Sequence, residues 1–227
     1  AALAPAAIPD AMLATGAPRW ETVPVSGPMP VLALATLRAL GLGQADLARA
    51  AAGMPGYLAD WQPLRLVAEG GVGAALAMAE AALASPASGW PLDLMTRDMA
   101  LAGVQVPQLA LSEIGPVAGS VVTLAPGALH FDATRLDPAH ASALAARITH
   151  LAAQITAQPE TRLDELSALT EEERAFAIDR VNATVRDHDR SLMVHTAFEA
   201  QAARTPDAPA LAFEAVTLTY AQLNARA

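Results

Sequence analysis

The feature that most constrains the fold lies between residues 137 and 158. Asp137 stands where a helix N-cap would, and Pro138 follows at the first helical position, where its missing N–H does no harm. Leu144, Ile148, Leu151 and Ile155 then recur at spacings of four, three and four, which places them on one face of an amphipathic helix running to about Gln158. Such a stripe must be covered. Immediately upstream, the apolar runs Val121–Leu124 and Leu129–Phe131 flank Pro126-Gly127, a strand–turn–strand pattern. A hairpin feeding a long amphipathic helix implies a helix layer on a sheet, and so an α/β or α+β domain.

The remaining pattern fits that class. Residues 1–30 are rich in Pro, Gly and Ala, with Trp20–Val25 a strand candidate. Val31–Leu40 reads as a mostly apolar helix closed by Gly41 and Gly43, and Tyr57–Val67 holds an extended segment ending in Leu64-Arg-Leu-Val67. Val72–Leu83 and Leu92–Leu101 read as further helices, and Thr170-Glu-Glu-Glu173 opens another with a capping box and acidic residues in its first turn. Residues 185–191, with Arg-Asp-His-Asp-Arg at their centre, read as a charged linker. No internal repeat or heptad is visible.

Composition removes several function classes. All 14 basic residues are arginine, so no Schiff-base or phosphate-loop lysine exists. A net charge of −9 disfavours nucleic acid as a partner. With no cysteine there are no thiolate nucleophiles, thiolate metal sites or disulfides, which suits a cytoplasmic protein. The N-terminus is apolar but lacks a basic leader and is broken by proline, unlike a secretory signal. No apolar run reaches membrane-spanning length without Gly, Pro or charge, so the expectation is a soluble chain.

The last residues are specific. His195-Thr-Ala-Phe-Glu-Ala-Gln-Ala-Ala-Arg-Thr-Pro-Asp-Ala-Pro-Ala-Leu-Ala-Phe213 leads into Leu218-Thr-Tyr-Ala-Gln-Leu-Asn-Ala-Arg-Ala227, where Thr219 and Gln222 have capping-box spacing. This stretch resembles the opening of the adenylation domain of nonribosomal peptide synthetases: a helix, an Arg-Thr-Pro-Asp turn, a strand pair, then Leu-Thr-Tyr-x-(Glu/Gln)-Leu-Asn-x-Arg-Ala. Upstream, Gly56-Tyr-Leu-Ala-Asp-Trp-Gln-Pro-Leu-Arg65, Ser88-Gly-Trp-Pro-Leu-Asp-Leu-Met95 and Leu129-His-Phe-Asp132, followed by Leu163-Asp-Glu-Leu166 and Thr170–Asn182, resemble, in order, segments of synthetase condensation domains. The resemblance implies the C-terminal lobe of a truncated or degenerate condensation domain, an α/β lobe of the chloramphenicol-acetyltransferase-like kind with a mixed sheet flanked by helices, over residues 1–184. A linker over 185–194 and the strand-helix start of an adenylation domain over 195–227 follow, with the chain cut just past that boundary.

The departures shape the functional expectation. The family's catalytic His-His-x-x-x-Asp-Gly motif belongs to an N-terminal lobe that the resemblance does not cover, and this sequence has neither adjacent histidines nor an Asp-Gly pair. The basic Gly-Arg segment expected after Gly43-Gln-Ala-Asp46 is replaced by Ala50-Ala-Ala-Gly-Met-Pro55. The resemblance therefore implies a non-catalytic scaffold and interaction lobe ahead of an adenylation domain. The alternative is the second half of an amide-forming condensation domain whose histidine comes from the missing lobe. Its partners would be the rest of the adenylation domain and a phosphopantetheinyl carrier protein or another part of the synthetase, with no nucleic acid, membrane or metal.

No residue set reads as a catalytic, cofactor or metal site. Among the five histidines, His140 and His150 are ten apart on one helix, about 15 Å along its axis, too far for one ion. His130 and Asp132 share a strand face, as an oriented general base would, but no nucleophile at a defined spacing accompanies them. His188 and His195 fall in and after the linker. Gly70, Gly71 and Gly73 precede a helix where a phosphate could be cradled, yet neither a lysine nor a Ser/Thr follows. Met95 and Met99 at helical spacing read as core filling.

Overall fold

The computed structural model describes residues 7–9, 11–12, 16–54, 57–97, 105–187 and 193–227, with side chains of 94–96 excepted. The chain divides into two compact units, Ala1–Ala175 and Phe176–Ala227.

The first unit is built on a six-stranded mixed sheet. Its strands are β1 (Trp20–Pro24), β2 (Gln44–Ala50), β3 (Trp61–Val67), β4 (Leu109–Leu111), β5 (Val122–Ala125) and β6 (Ala128–Asp132), in the spatial order β1-β6-β5-β4-β2-β3. β4 is parallel to both β2 and β5, and the outer pairings are antiparallel. Helices α1 (Met29–Ala39), α2 (Val72–Ala84), α3 (Leu92–Arg97), α4 (Pro138–Ala157) and α5 (Glu171–Ala175) intervene or follow. This is the mixed sheet flanked by helices that the motifs implied.

The period-two pleat sorts side chains to two faces. Ala45, Leu47, Leu66, Leu109, Leu111, Val122, Leu124, Leu129 and Phe131 face one way and join the main core. There they meet α1, whose residues Val31–Leu37 are all buried, the expected pattern for a helix covered all round by sheet and neighbouring helices. The α4 stripe Leu144, Ile148, Leu151 and Ile155 packs into the same core. The Asp137 carboxylate accepts from Ala139 N at 2.8 Å, as a cap must to satisfy a first-turn N–H. The opposite sheet face is smaller and more polar. It carries Asp46, Ala48, Trp61, Arg65, Ala110, Thr123, His130 and Asp132, with a second cluster formed by Ala48, Ala59, Trp61, Ala110 and Val117.

α1 ends in a Schellman turn: Gly41 N donates to Arg38 O and Leu42 N to Leu37 O, with Gly41 at φ +70°. A Cβ there meets nothing within 4 Å, so substitution tests conformation alone. Gly41→Ala is expected to lower stability by about 1–2 kcal/mol in denaturant unfolding. A neutral effect would mean the turn adopts another geometry.

The helix expected over 92–101 is present as α3, and residues 98–101 lie outside the described residues. β2 and β4 were not anticipated. The Thr170 capping box forms, with Glu173 N donating to Thr170 Oγ1 and Thr170 N to Glu173 Oε2. Its helix α5 is short, however, and runs into one π-helical turn at Phe176–Arg180.

The second unit contains α6 (Val194–Arg204), a hairpin of β7 (Pro209–Phe213) and β8 (Val216–Thr219), and α7 (Tyr220–Asn224). Phe198 and Tyr220 hold α6 to α7, their ring centroids 5.8 Å apart. The capping box at Thr219 and Gln222 is closed in both directions. Leu211, Phe213 and Val216 on the hairpin are exposed.

Candidate functional site

Open sheets of this kind bind ligands beyond the carboxyl ends of their parallel strands, and a groove lies at that place here. The ends of β2 (Arg49, Ala50, then Ala51 and Ala52) and β4 (Leu111, then Ser112, Glu113 and Ile114) form its floor, while Met29 of α1, Leu83 near the end of α2 and Ala87 in the stretch after it form its wall. Its volume is about 390 Å³. The sequence did not reveal this site, because its walls come from four separate stretches that only the topology joins.

The groove's polar groups are mostly engaged. The Arg49 guanidinium donates to Ser85 O and Leu83 O, each at 2.6 Å. A cation at a helix C-terminus satisfies orphan carbonyls and complements the dipole, so Arg49 anchors the end of α2. Ser112 is 5% exposed and its Oγ accepts from Ile114 N and Gly115 N at 3.2 and 3.3 Å. Those bonds fold the residues after β4 into a tight turn, which leaves Ile114 95% exposed at the rim.

On the polar sheet face, Asp46 is 2% exposed and accepts two bonds from Arg65, at 2.9 and 2.6 Å. That hydrogen bonding and the carboxylate charge hold the Arg65 pKa above its ordinary value. Ser120 Oγ lies 2.9 Å from Thr123 Oγ1, which also accepts from Val117 N at 3.0 Å, so the loop before β5 is tied to the sheet.

His130 does meet a hydroxyl, though not one the sequence indicated. Thr22, 108 positions away on the neighbouring strand, places Oγ1 at 2.8 Å from His130 Nδ1. Asp132 does not orient that imidazole. Its Oδ1 accepts from Arg19 N, Thr134 N and Thr134 Oγ1, which makes it the lock of the turn after β6. His140 and His195 are exposed on α4 and α6, and His150 is half-buried on α4. His188 lies outside the described residues, as do the side chains of the methionines at 95 and 99. Among the described residues no imidazole lines the groove. Among the described residues no three His, Asp or Glu side chains are placed to hold a metal ion, and no helix is long and apolar enough to cross a membrane.

The glycine-rich start of α2 is closed by the chain itself. Val72 N donates to Thr161 O and Gly73 N to Pro159 O, while Leu163 N donates to Gly70 O. The N–H groups a phosphate would need already hold backbone carbonyls.

Asp132 and Glu173 contribute to the acid response. Burial alone would push the Asp132 carboxyl up, but the bonds from Thr134 and Arg19 and the Arg135 charge outweigh it and hold its pKa below 3.8. For Glu173 burial again pushes upward, and the bonds from Thr170 N–H and Arg147, with the Arg147 charge, bring the value below 4.5. A depressed folded-state pKa contributes stability that is present above the unfolded value and lost as pH falls through the folded one. Urea midpoints should therefore hold down to about pH 5 and fall steadily below about pH 4. Asp132→Asn should flatten part of that fall, and an unchanged acid slope in the variant would contradict the assignment.

Comparison with known proteins adds to this geometry. No protein-family model matches the chain. One of the linear gramicidin synthase subunits of Brevibacillus parabrevis is 37% identical over 99 residues, 44% of this chain and 1% of the synthase polypeptide. A holo four-domain nonribosomal peptide synthetase bound to AMP and glycine superposes with a TM-score of 0.60 at 12% identity, covering 98% of this chain and 23% of the other. The FmoA3 synthetase (S1046A) gives a TM-score of 0.54 at 16% identity over 98% of this chain and 30% of the other. The chain is part of a nonribosomal peptide synthetase. Its first unit is a six-stranded mixed sheet flanked by helices, and the chain shares its fold with stretches of those two synthetases. It spans only a few per cent of the curated synthetases it matches, 1% for the gramicidin synthase and 4% for a mycosubtilin synthase polypeptide of Bacillus subtilis.

Proposed function

We propose that this part of the synthetase is a non-catalytic condensation-like scaffold lobe, residues 1–184, joined through a linker at 185–194 to the opening of an adenylation domain at 195–227. It would work in the cytoplasm beside the rest of that adenylation domain and a carrier protein or a neighbouring synthetase polypeptide. The observation that carries this reading is the chemistry of the groove. Its cation is held by two backbone carbonyls at the end of α2, its buried hydroxyl is turned to backbone N–H groups, and among the described residues its lining contains no imidazole. Amide formation needs a group that orients or deprotonates the attacking amine, and a general base is worth about 10²–10⁴-fold in rate. Among the described residues, Glu113 at the rim is the groove's one carboxylate.

The second unit supports the domain order proposed. Its helix, hairpin and capped helix appear in the sequence expected of an adenylation start. The expected result is that donor- and acceptor-loaded carrier proteins mixed with this chain yield no dipeptide above the carrier-only control. Dipeptide above that control would contradict the scaffold reading.

A further inference from the structure

We propose that a second cavity, at the other end of β2 from the groove, is a binding site for a free α-amino acid in its zwitterionic form. It lies where α1 turns into β2 and where β3 leaves the sheet, and its volume is about 320 Å³, at the small end of the range for ligand pockets. Its charged lining is Arg38 from the last turn of α1, Glu69 from the end of β3, and Arg162 and Asp164 at the 3₁₀ turn Leu163–Glu165. The inference goes beyond the scaffold reading and does not depend on it, since this cavity shares no lining residue with the groove.

Charge decides the class of ligand. Two arginines and two carboxylates give the lining no net charge, yet the four groups do not satisfy one another. Arg162 donates from Nε and Nη2 to the Asp164 carboxylate, at 3.0 and 3.1 Å. Arg38 Nη2 donates to the carbonyls of Asp164 and Leu166, at 2.9 and 3.1 Å. Asp164 thus gathers both guanidinium groups, and the Arg162 bonds, with the Arg38 charge, hold its carboxyl below the ordinary value. A guanidinium carries five N–H donors. Among the described residues none accepts from Nη1 of either arginine, and Arg38 Nε is shut off from water without an acceptor. Donors are therefore left for a further carboxylate, which arginine takes in charge-assisted bonds. Glu69 is the complementary group. Its carboxylate lies where a Cβ on Gly43 would stand and bonds to none of the described residues. An α-carboxylate on the arginines and an α-ammonium on Glu69 serve both, and a zwitterion adds no net charge to a neutral lining. A dianion would meet the Glu69 charge, and a simple ammonium would meet the arginines.

The test uses the whole chain and three probes that differ by one group: L-alanine, propionate, which lacks the ammonium, and ethylammonium, which lacks the carboxylate. Each is titrated at matched ionic strength and followed by chemical-shift perturbation of the amides of residues 41–43 and 68–70. L-Alanine is expected to bind with a Kd on the order of a few millimolar, as suits about six heavy atoms. It should bind about three- to tenfold more tightly than either half-probe, the worth of one charge-assisted contact at a site open to water. Glu69→Gln, at an exposed side chain, should bring L-alanine down to the affinity of propionate without weakening propionate. Arg162→Gln should weaken L-alanine and propionate alike, with melting curves recorded to show that both variants fold. Propionate or ethylammonium binding as tightly as L-alanine overturns the proposal. So does a preference for L-alanine over propionate that survives Glu69→Gln, or L-alanine binding that is undetectable at tenfold above the expected Kd. Dipeptide synthesis by the chain would overturn the scaffold reading alone.

Discussion

Replacing Phe131 by alanine is expected to lower the unfolding free energy by about 3–5 kcal/mol, the range for deleting a fully buried aromatic side chain. Phe131 is 1% exposed on the helix-facing side of β6, opposite Val122 and Glu21 in the two neighbouring strands. Its ring enters the core shared by α1 and α4, so truncation removes apolar contact and leaves a cavity between two layers. Domains are stable by only about 5–15 kcal/mol, so the variant should sit close to unfolding at ambient temperature. The urea midpoint reads this directly. A loss under about 1 kcal/mol would show that the helix-facing core is not where the stability of the first unit resides.

The second large effect concerns the second unit. Leu211, Phe213 and Val216 are 48%, 69% and 57% exposed, and each large apolar side chain left in water forgoes roughly 1.5–3 kcal/mol of burial. A two-stranded hairpin is marginal by itself. Glu214 in its turn also has a φ of +53°, a left-handed conformation that non-glycine residues adopt at about 1–2 kcal/mol. Amide hydrogens from Leu211 to Leu223 should therefore exchange within about 10²-fold of the unprotected rate in a dilute monomer, while β5, β6 and α4 stay protected by about 10⁴-fold or more. Covalent extension to a whole adenylation domain should raise protection of the hairpin towards that of the core. Strong protection in the isolated monomer would instead show that the hairpin is stable as it stands and that the boundary proposed at 185–194 is misplaced.

What the sequence shows and what it conceals follow from the range of the forces. α4 was legible because its cap, its first-turn proline and its apolar stripe all act within a few residues. The β5–β6 hairpin was legible through Pro126-Gly127, and α7 through the Thr219 and Gln222 cap. β2 was not, because Gln-Ala-Asp-Leu-Ala-Arg-Ala has no β-branched residue. Its extended state is imposed by pairing with β3 and β4, a tertiary effect that overrides weak local preference. The groove and the Thr22–His130 contact were hidden for the same reason. Arg49, Ser112 and Glu113 carry no local motif, and Thr22 meets His130 only across a strand pairing. The motif resemblance located the right class of molecule without locating the site.

The most direct test of the central claim supplies what the chain lacks. The His-containing N-terminal lobe of a related condensation domain is added in trans to this chain, with donor and acceptor groups loaded on carrier proteins, and dipeptide is quantified against carriers alone, lobe alone and chain alone. A scaffold lobe predicts the carrier-only background in every mixture. Dipeptide that forms only when lobe and chain are both present, at about 10²-fold or more above background as a restored general base would give, would contradict it and make this chain the second half of a working condensation enzyme.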